Sequence, residues 1–531
     1  MSAPVELYDT TLRDGTQMEG ISLSAEDKLK IARKLDELGV HYIEGGWPGS
    51  NPKDAEFFVR AQSLNLSHAR LAAFGSTRRA GGHAEGDPNI RALIDARTPV
   101  VTLVGKASDM QVLQVLKTSL EENLEMLSES IRYLKSHGLT VYWDAEHFFD
   151  GFYSDPRYTI QCLRSAADAG VDCIIMCDTN GGTITSRLAE PIKAAQEAVS
   201  VPLGIHAHNA TGLAVANSLA AVDLGVSQVQ GCINGYGDGC GNADMIAVVA
   251  NLKIKMGIDC VSDEQLGRLT EISRYVSEIA NLPPSPRQPY VGPAAFAHKA
   301  GLHVDAILKH EQSYQHIDPA VVGNDRRILV SELAGRRNIQ AKMKEQGIDI
   351  PLNDQDLRRL VDTVKLMESR GYQYEGAEAS FELMVRRSQP GYQPPFELDD
   401  FMVVERRHPQ LRGGEEERDI LSEAMVKVRV GDEVIHTAAE GNGPVNALDG
   451  AVRKALIQFY PTLEAIKLVD YKVRIIDTAA GTAACVRVLI ESTDGERHWT
   501  TVGSSTDIIE ASWLALADSL EWWLVKREAA A

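Results

Sequence analysis

The sequence predicts an α/β protein that begins with a (β/α)8 TIM barrel, continues through a helical linker and lid subdomain, and ends in a C-terminal α+β domain. Over the first 255 residues or so, short apolar runs alternate eight times with amphipathic stretches, as in a barrel of parallel strands. The competing doubly wound sheet is disfavoured because no GxGxxG turn follows a strand. From about residue 376, alternating strand patterns predominate. A chain of 531 residues has room for several domains.

The eight barrel strands follow one another at regular intervals. They are predicted at residues 5–9, 41–46, 69–75, 99–105, 139–146, 171–178, 202–208 and 226–233. The clearest helix is 24–39, where Ser24 can cap the first turn and Gly39 can end the last one. Further helices are predicted at 186–200 and 211–225. These elements place the barrel at residues 1–258.

The rest of the chain divides into a linker segment, 259–375, and a C-terminal α+β domain, 376–531; the family resemblance given below implies a lid in the first and a regulatory role for the second. The linker is helical at first and then breaks in NLPPSPRQP. The C-terminal domain has strand patterns at 379–386, 422–430, 471–479 and 483–492. Two stretches, 436–456 and 499–520, each run from a strand through a turn into an Ala-rich helix. This weak repeat predicts a small α+β domain with internal pseudo-symmetry.

Composition limits the possible partners and location. The formal charge of −20 argues against nucleic acid and anionic membranes, because like charges repel. No apolar run is long enough to span a bilayer, and the N-terminus lacks the pattern of a signal peptide. The seven cysteines are odd in number and scattered, which suits reduced thiols. We therefore expect a cytoplasmic protein.

Charged residues collect where two of the predicted strands end. Asp9, Arg13 and Asp14 follow strand one, and His206 and His208 end strand seven. Carboxyl ends of barrel strands face the active site, and strand residues two apart point the same way. Two imidazoles and one carboxylate are a suitable ligand set for a divalent metal. An isolated HxH can also be two core or surface histidines, but Asp14 at a matching strand end favours a metal.

Three motifs resemble the isopropylmalate synthase, homocitrate synthase and citramalate synthase family. They are DTTLRDGTQ (9–17), HAHNATG (206–212) and NGYGDGCGNA (234–243), in this order on the eightfold pattern. The resemblance implies condensation of acetyl-CoA with an α-keto acid, a zinc, manganese or magnesium ion, and a homodimer. EGGWPGSNPKDAEFF (44–58) and DAEHFFDGF (144–152) are most similar to the members that use pyruvate. The alternative acceptors are 2-ketoisovalerate, as in 2-isopropylmalate synthase, and 2-oxoglutarate, as in homocitrate synthase. A more remote alternative is a lyase of the hydroxymethylglutaryl-CoA type.

The resemblance also assigns the metal ligands. They are Asp14, His206, His208 and Asn242, the last of which follows the glycine-rich turn after strand eight. Arg13 is then the cation that binds the substrate and meets negative charge developing on its oxygen. The alternative for Arg13 is a structural ion pair with a neighbouring aspartate.

The remaining site residues come from strands five and six and from the lid. Glu146 and His303 match the catalytic acid and histidine of the family, whose lid comes from the neighbouring subunit. Thr179 is expected to bind the keto acid's carboxylate, although a capping hydroxyl is an equal alternative. Asp144 shares a strand face with Glu146 and is a second candidate for substrate binding or for the role of Glu146. His298 is the alternative to His303.

The C-terminal domain resembles the leucine-binding regulatory domain of isopropylmalate synthase. By this resemblance the effector of a pyruvate-using member is isoleucine. Glycines in 440–450 and 477–486 would let a small zwitterion approach backbone amides. Alternatively, these glycines turn hairpins at a dimer interface.

Overall fold

The computed structural model describes residues 4–330, 335–407, 420–476, 481 and 483–528. The chain forms two compact units. One comprises Met1–Phe296 with Ile317–Arg326, and the other comprises Ala297–His316 with Arg327–Ala531. The predicted domain limits at residues 258 and 375 stay predictions. Among the described helices, none has both the length and the apolar character needed to cross a membrane.

The first unit contains a closed barrel of eight parallel strands, which confirms the predicted fold class. Pairing of β1 with β8, from Glu6–Gln228 to Asp9–Gly231, closes the ring. The strands are β1 (Glu6–Asp9), β2 (Tyr42–Gly46), β3 (Arg70–Ser76), β4 (Val100–Lys106), β5 (Thr140–Glu146), β6 (Cys173–Asp178), β7 (Leu203–Ala207) and β8 (Gln228–Gly231). All eight overlap the predicted runs.

Helices surround the barrel. The first helix begins and ends where its sequence predicts. The Ser24 hydroxyl accepts a hydrogen bond from Asp27 N at its start, and Gly39, at φ 86°, ends it. The helices are α1 (Ala25–Leu38), α2 (Pro52–Ala61), α3 (Pro88–Asp95), α4 (Leu120–Ser136), α5 (Phe148–Ser154), α6 (Pro156–Asp168), α7 (Ala189–Ala198), α8 (Ala214–Asp223), α9 (Met245–Ala250), α10 (Asp263–Leu266) and α11 (Leu269–Ile279). Short π-helical turns, Gln111–Leu116 and Asn251–Lys255, interrupt the pattern.

Aromatic rings fill the inside of the barrel. Tyr8, Tyr42 and Tyr142 are buried and lie with ring centroids 5.3–6.2 Å apart. They form one cluster with Cys173 and Cys177. A filled interior leaves the polar residues near the carboxyl ends of the strands as the floor of any site.

The second unit contains helices and two small antiparallel sheets. Its helices are α12 (Gly301–Lys309), α13 (Arg336–Glu345), α14 (Asp354–Ser369), α15 (Glu378–Arg387), α16 (Pro444–Leu456) and α17 (Ile508–Glu528). One sheet contains β11 (Glu397–Arg407), β12 (Ile420–Val430) and β13 (Glu433–Gly441). The other contains β14 (Lys467–Ile475), β15 (Val486–Thr493) and β16 (His498–Ser505), and a two-residue pair, β9 (Ala297–His298) and β10 (Arg327–Ile328), completes the strands.

The predicted repeat is confirmed. Each three-stranded sheet is followed by a helix, β13 by α16 and β16 by α17. One strand prediction is wrong, because residues 379–386 lie within helix α15. Phe381, Leu383 and Val385 are all buried, and so is the intervening Glu382, so the apolar alternation reflects burial of most of the helix rather than a strand. Residues 477–479 of the strand predicted at 471–479 lie outside the described residues.

Candidate active site

The four predicted metal ligands lie together at the carboxyl ends of the barrel strands. Asp14 Oδ2 is 3.2 Å from His206 Nε2, 3.8 Å from His208 Nε2 and 3.0 Å from Asn242 Nδ2. His206 is on β7, and His208 follows it in a bridge to Asn242. The pairing of β1 with β8 and the β7–β8 contact bring these distant parts of the sequence into one cluster.

Gln230 on β8 orients the first imidazole. Its Oε1 lies 2.8 Å from His206 Nδ1. Because an amide oxygen only accepts, Nδ1 donates this hydrogen bond, which turns Nε2 toward Asp14 and His208. Burial lowers the pKa of His206, but the Asp14 and Asp144 carboxylates raise it above its usual value. The two Nε2 atoms of His206 and His208 are 3.2 Å apart. Two imidazole nitrogens and a carboxylate oxygen that face one another are a ligand set that suits a divalent cation.

The electrostatics of the cluster fit a cation. Within the part of the chain that the structure describes, Asp14 Oδ1 and Asn242 Oδ1 are buried without a hydrogen-bond partner, and a metal bound at the cluster would relieve this cost at Asp14. Asn242 turns its Nδ2 toward Asp14 and His206, so its oxygen would be a ligand only with the amide in the flipped orientation. Burial raises the pKa of Asp14, but Arg13 and the histidines outweigh it and hold that pKa well below its usual range. Burial and the neighbouring His206 lower the pKa of His208 to about 4, so His208 is neutral at pH 7. The residues present therefore suit a divalent metal.

Arg13 is fixed from three sides. Its Nε donates to Glu44 Oε2 at 2.5 Å, and its Nη1 lies 3.2 Å from Asp14 Oδ2. Its guanidinium carbon stands 3.8 Å from the centre of the Phe74 ring. The buried carboxylate of Glu44 also accepts from the Tyr8 hydroxyl at 2.8 Å. Burial lowers the pKa of Arg13, but the surrounding carboxylates raise it well above its usual value, so the guanidinium stays charged.

The structural ion pair that was the alternative role of Arg13 is present with Asp14 but not with Asp9 among the described contacts. Arg13 pairs with Asp14 and with Glu44, whereas Asp9 accepts from the backbone N–H of Thr11 at 2.9 Å and from its hydroxyl at 3.0 Å. The ion pair and the electrostatic role are compatible, because a guanidinium has five N–H donors in a planar fork.

Asp144 and Glu146 share a face of β5 but have different surroundings. Asp144 is 3 % exposed and accepts from Gln230 Nε2 at 3.4 Å. Burial and the nearby Glu44 carboxylate raise the pKa of Asp144 to about 7. Glu146 is partly exposed and forms an ion pair with Lys106 at the end of β4. Asp144 thus belongs to the buried floor of the site and Glu146 to its accessible rim.

The structure places Thr179 in the barrel unit and His303 in the second unit. Thr179 follows β6, and its Oγ1 accepts from the backbone N–H of His147 at 2.8 Å. His303 lies on α12 in the second unit, exposed, with its ring stacked on Tyr314 at 4.2 Å between centroids. His298, the alternative to His303, lies 3.3 Å from Gln315 Nε2. The catalytic roles of His303 and Glu146 stay predictions.

Three residues of the site were missed in the sequence. Glu44 lies in a predicted strand and begins the 44–58 stretch, but neither it nor Gln230 nor Lys106 was given a role in the site. A buried acid in the run YIEGG, and two glutamines two apart in QVQG, were available signals, because inward-facing polar residues in a barrel strand need partners.

Comparison with known proteins places the chain in a family. A family model described as HMGL-like matches residues 4–276. An (R)-citramalate synthase of Geobacter sulfurreducens is 52% identical over 99% of this chain and 98% of its own length. The chain belongs to the citramalate and isopropylmalate synthase family. The predicted resemblance is confirmed.

Other matches extend this relationship along the whole chain. An (R)-citramalate synthase of Aquifex aeolicus is 50% identical over 99% of both chains. A 2-isopropylmalate synthase of Methanocaldococcus jannaschii is 33% identical over 99% of this chain and 95% of its own length. Residues 290–371 match a homocitrate synthase post-HMGL domain-like model, and residues 375–524 match the LeuA allosteric (dimerisation) domain. The family's domain types therefore occur here in the predicted order.

Proposed function

We propose that this chain condenses acetyl-CoA with pyruvate and water to give (R)-citramalate and CoA. The observation that carries the proposal is the cluster of Asp14, His206 and His208 beside a charged Arg13. The relatives at 50% and 52% identity are both (R)-citramalate synthases, which supports pyruvate as the acceptor. The chemistry needs a bound keto acid, a base for the acetyl methyl group, and a cation for the ketone oxygen.

Asp14, His206, His208 and Asn242 would hold a zinc, manganese or magnesium ion. Such an ion supplies Lewis acidity towards the keto acid. Arg13 presents its guanidinium to the charge that develops on the ketone oxygen. Because Glu44 and Asp14 already fix the side chain, it need not reorganise during the reaction.

Proton transfer is assigned to Glu146 and His303. Glu146 is exposed enough to meet a thioester, and Lys106 holds its carboxylate. Thr179 would donate its hydroxyl hydrogen to the keto acid's carboxylate. Asp144, buried beneath the rim, would contact the substrate from the floor of the site.

The acceptor is tested by thiol release from acetyl-CoA with pyruvate, 2-ketoisovalerate and 2-oxoglutarate in separate reactions. We expect kcat/KM for pyruvate to exceed that for 2-ketoisovalerate at least about tenfold, since two extra methyl groups must be rejected by a pocket shaped for one. Acetyl-CoA alone is the control for hydrolysis. Turnover with 2-ketoisovalerate but little with pyruvate would instead assign 2-isopropylmalate synthesis. Cleavage of hydroxymethylglutaryl-CoA with no condensation would assign a lyase.

Two features of the second unit are evidence for a homodimer. The matched LeuA allosteric (dimerisation) domain is one support. A second is the exposed apolar surface of β14, where Val469, Val473 and Ile475 are each more than 40% exposed. With the matched domain, these uncovered apolar side chains make a second copy of the chain the proposed partner.

His303 is proposed to act on the barrel of the partner subunit. Co-expression of Asp14→Asn and His303→Ala chains with different affinity tags tests this role. Each variant alone is expected to be nearly inactive, and random mixing should restore about a quarter of the activity, because half the dimers then hold one intact site. A His310→Ala chain, which changes an exposed histidine nearby, is the control and should stay active. No recovery in the tagged heterodimer would contradict the role in trans.

We also propose isoleucine as a feedback effector. The match to the LeuA allosteric domain supports regulation, and the described glycines of 440–450 lead into α16. Part of the second glycine stretch, 477–486, lies outside the described residues. Thiol release that stays unchanged over a titration with isoleucine would contradict the proposal. A cytoplasmic location is proposed from the free cysteines among the described residues.

A further inference from the structure

His147 has a backbone conformation that few residues other than glycine adopt. It lies between Glu146 at the end of β5 and the start of α5, at φ 60° and ψ 34°. A left-handed non-glycine residue is disfavoured, and such residues occur often at functional sites. The proposed acid–base chemistry makes no use of this histidine.

The left-handed turn has one clear consequence. It directs the backbone N–H of His147 at the Thr179 hydroxyl, with 2.8 Å between nitrogen and oxygen. A threonine hydroxyl has one O–H donor and two lone pairs. Because the N–H occupies a lone pair, the hydroxyl hydrogen points elsewhere. A hydroxyl that accepts one hydrogen bond is also a stronger donor of another.

We infer that His147 is a positioning residue that acts through its backbone, making Thr179 the hydrogen-bond donor for the keto acid's carboxylate. The inference rests on the proposed function of Thr179. An ionised carboxylate can only accept hydrogen bonds. A hydroxyl whose hydrogen points away from the loop can donate to that carboxylate and therefore recognises it selectively. The imidazole of His147 takes no part in proton transfer in this scheme.

Neighbouring contacts hold Thr179 in place. His147 Nδ1 lies 3.4 Å from Asp150 Oδ2, which also accepts from Asn180 Nδ2 at 2.6 Å. The loops after β5 and β6 are thus joined at Thr179 and at the next residue, Asn180. Gly181, at φ 59°, approaches the next loop so closely that a Cβ there would lie 2.7 Å from the carbonyl oxygen of His208. The donor hydroxyl is therefore fixed relative to a metal ligand.

A substitution series separates the backbone from the imidazole. His147→Gly and His147→Asn accept a left-handed conformation, whereas His147→Ala and His147→Val progressively do not. We expect the KM for pyruvate to stay within about threefold of the parent in the first pair. It should rise about tenfold or more in the second pair, as for loss of a hydrogen bond to a charged group. The KM for acetyl-CoA should change little throughout, and thermal unfolding and metal content check that each variant is folded and loaded.

A double-mutant cycle with Thr179 completes the test. Thr179→Val should raise the KM for pyruvate as much as His147→Ala does, and the double variant should be no worse than Thr179→Val alone, because both changes remove one interaction. Thr179→Ser should keep the parent KM. Glycine and asparagine variants as impaired as alanine would overturn the inference, since the imidazole would then be what matters. If Thr179→Val leaves the KM for pyruvate unchanged in an active enzyme, both the inference and the role of Thr179 fail. An enzyme that does not turn over pyruvate at all refutes the proposed reaction instead.

Discussion

Replacing Asp14 by asparagine is expected to abolish condensation, lowering kcat/KM by at least about a thousandfold. Asp14 Oδ2 is the atom that faces both imidazoles and the Asn242 amide. The asparagine has nearly the same shape but lacks the negative charge that attracts a divalent cation. The purified variant should therefore hold little metal. Thiol release with pyruvate and elemental analysis of the dialysed protein measure the two effects.

The matched control removes a carboxylate of the same unit away from the site. Asp95 ends α3 and is exposed, so Asp95→Asn should keep both metal and activity. Treatment of the parent with a chelator should reproduce the Asp14→Asn defect and be reversed by added zinc, manganese or magnesium, whereas the variant should not recover. An Asp14→Asn protein that condenses normally after chelation would remove the basis of the proposed mechanism.

Much of the barrel could be predicted because its signals are local. Strand β5 is a run of apolar residues ended by two acids, and α1 has both its capping box and its terminal glycine in the sequence. Helix α15 could not be predicted in this way. Its apolar residues alternate like those of a strand, and only contacts with α17 and β16 reveal a helix buried on several faces.

The proposed metal ligands at or near strand ends could be predicted, whereas the residues that support the site could not. Asp14, His206 and His208 come at strand ends, so the fold class alone predicts that they meet. Glu44 and Gln230 lie inside β2 and β8, and their partners come from other parts of the barrel: Arg13 from the turn after β1 and His206 from β7. Such pairs depend on the register of the closed barrel, which sequence spacing does not specify.

Arg13→Lys is expected to lower kcat by about a hundred- to a thousandfold, the usual cost of losing a preorganised donor to developing charge. Lysine keeps the positive charge but has neither the planar fork that joins Glu44 to Asp14 nor the flat face that stacks on Phe74. The ammonium group would therefore not be held where the guanidinium is.

The metal content of the purified protein distinguishes Arg13→Lys from Asp14→Asn. Because all four proposed ligands remain, Arg13→Lys should bind its metal normally and lose rate, with the KM for pyruvate changed less than kcat. Glu44→Gln should show a smaller defect of the same kind, since the amide still accepts from Arg13 Nε but no longer holds it by charge. Arg60→Lys, a change at an exposed ion pair with Glu26, is the control and should be silent. If Arg13→Lys keeps the parent kcat, the guanidinium is structural and charge on the ketone oxygen must be met by other groups of the site.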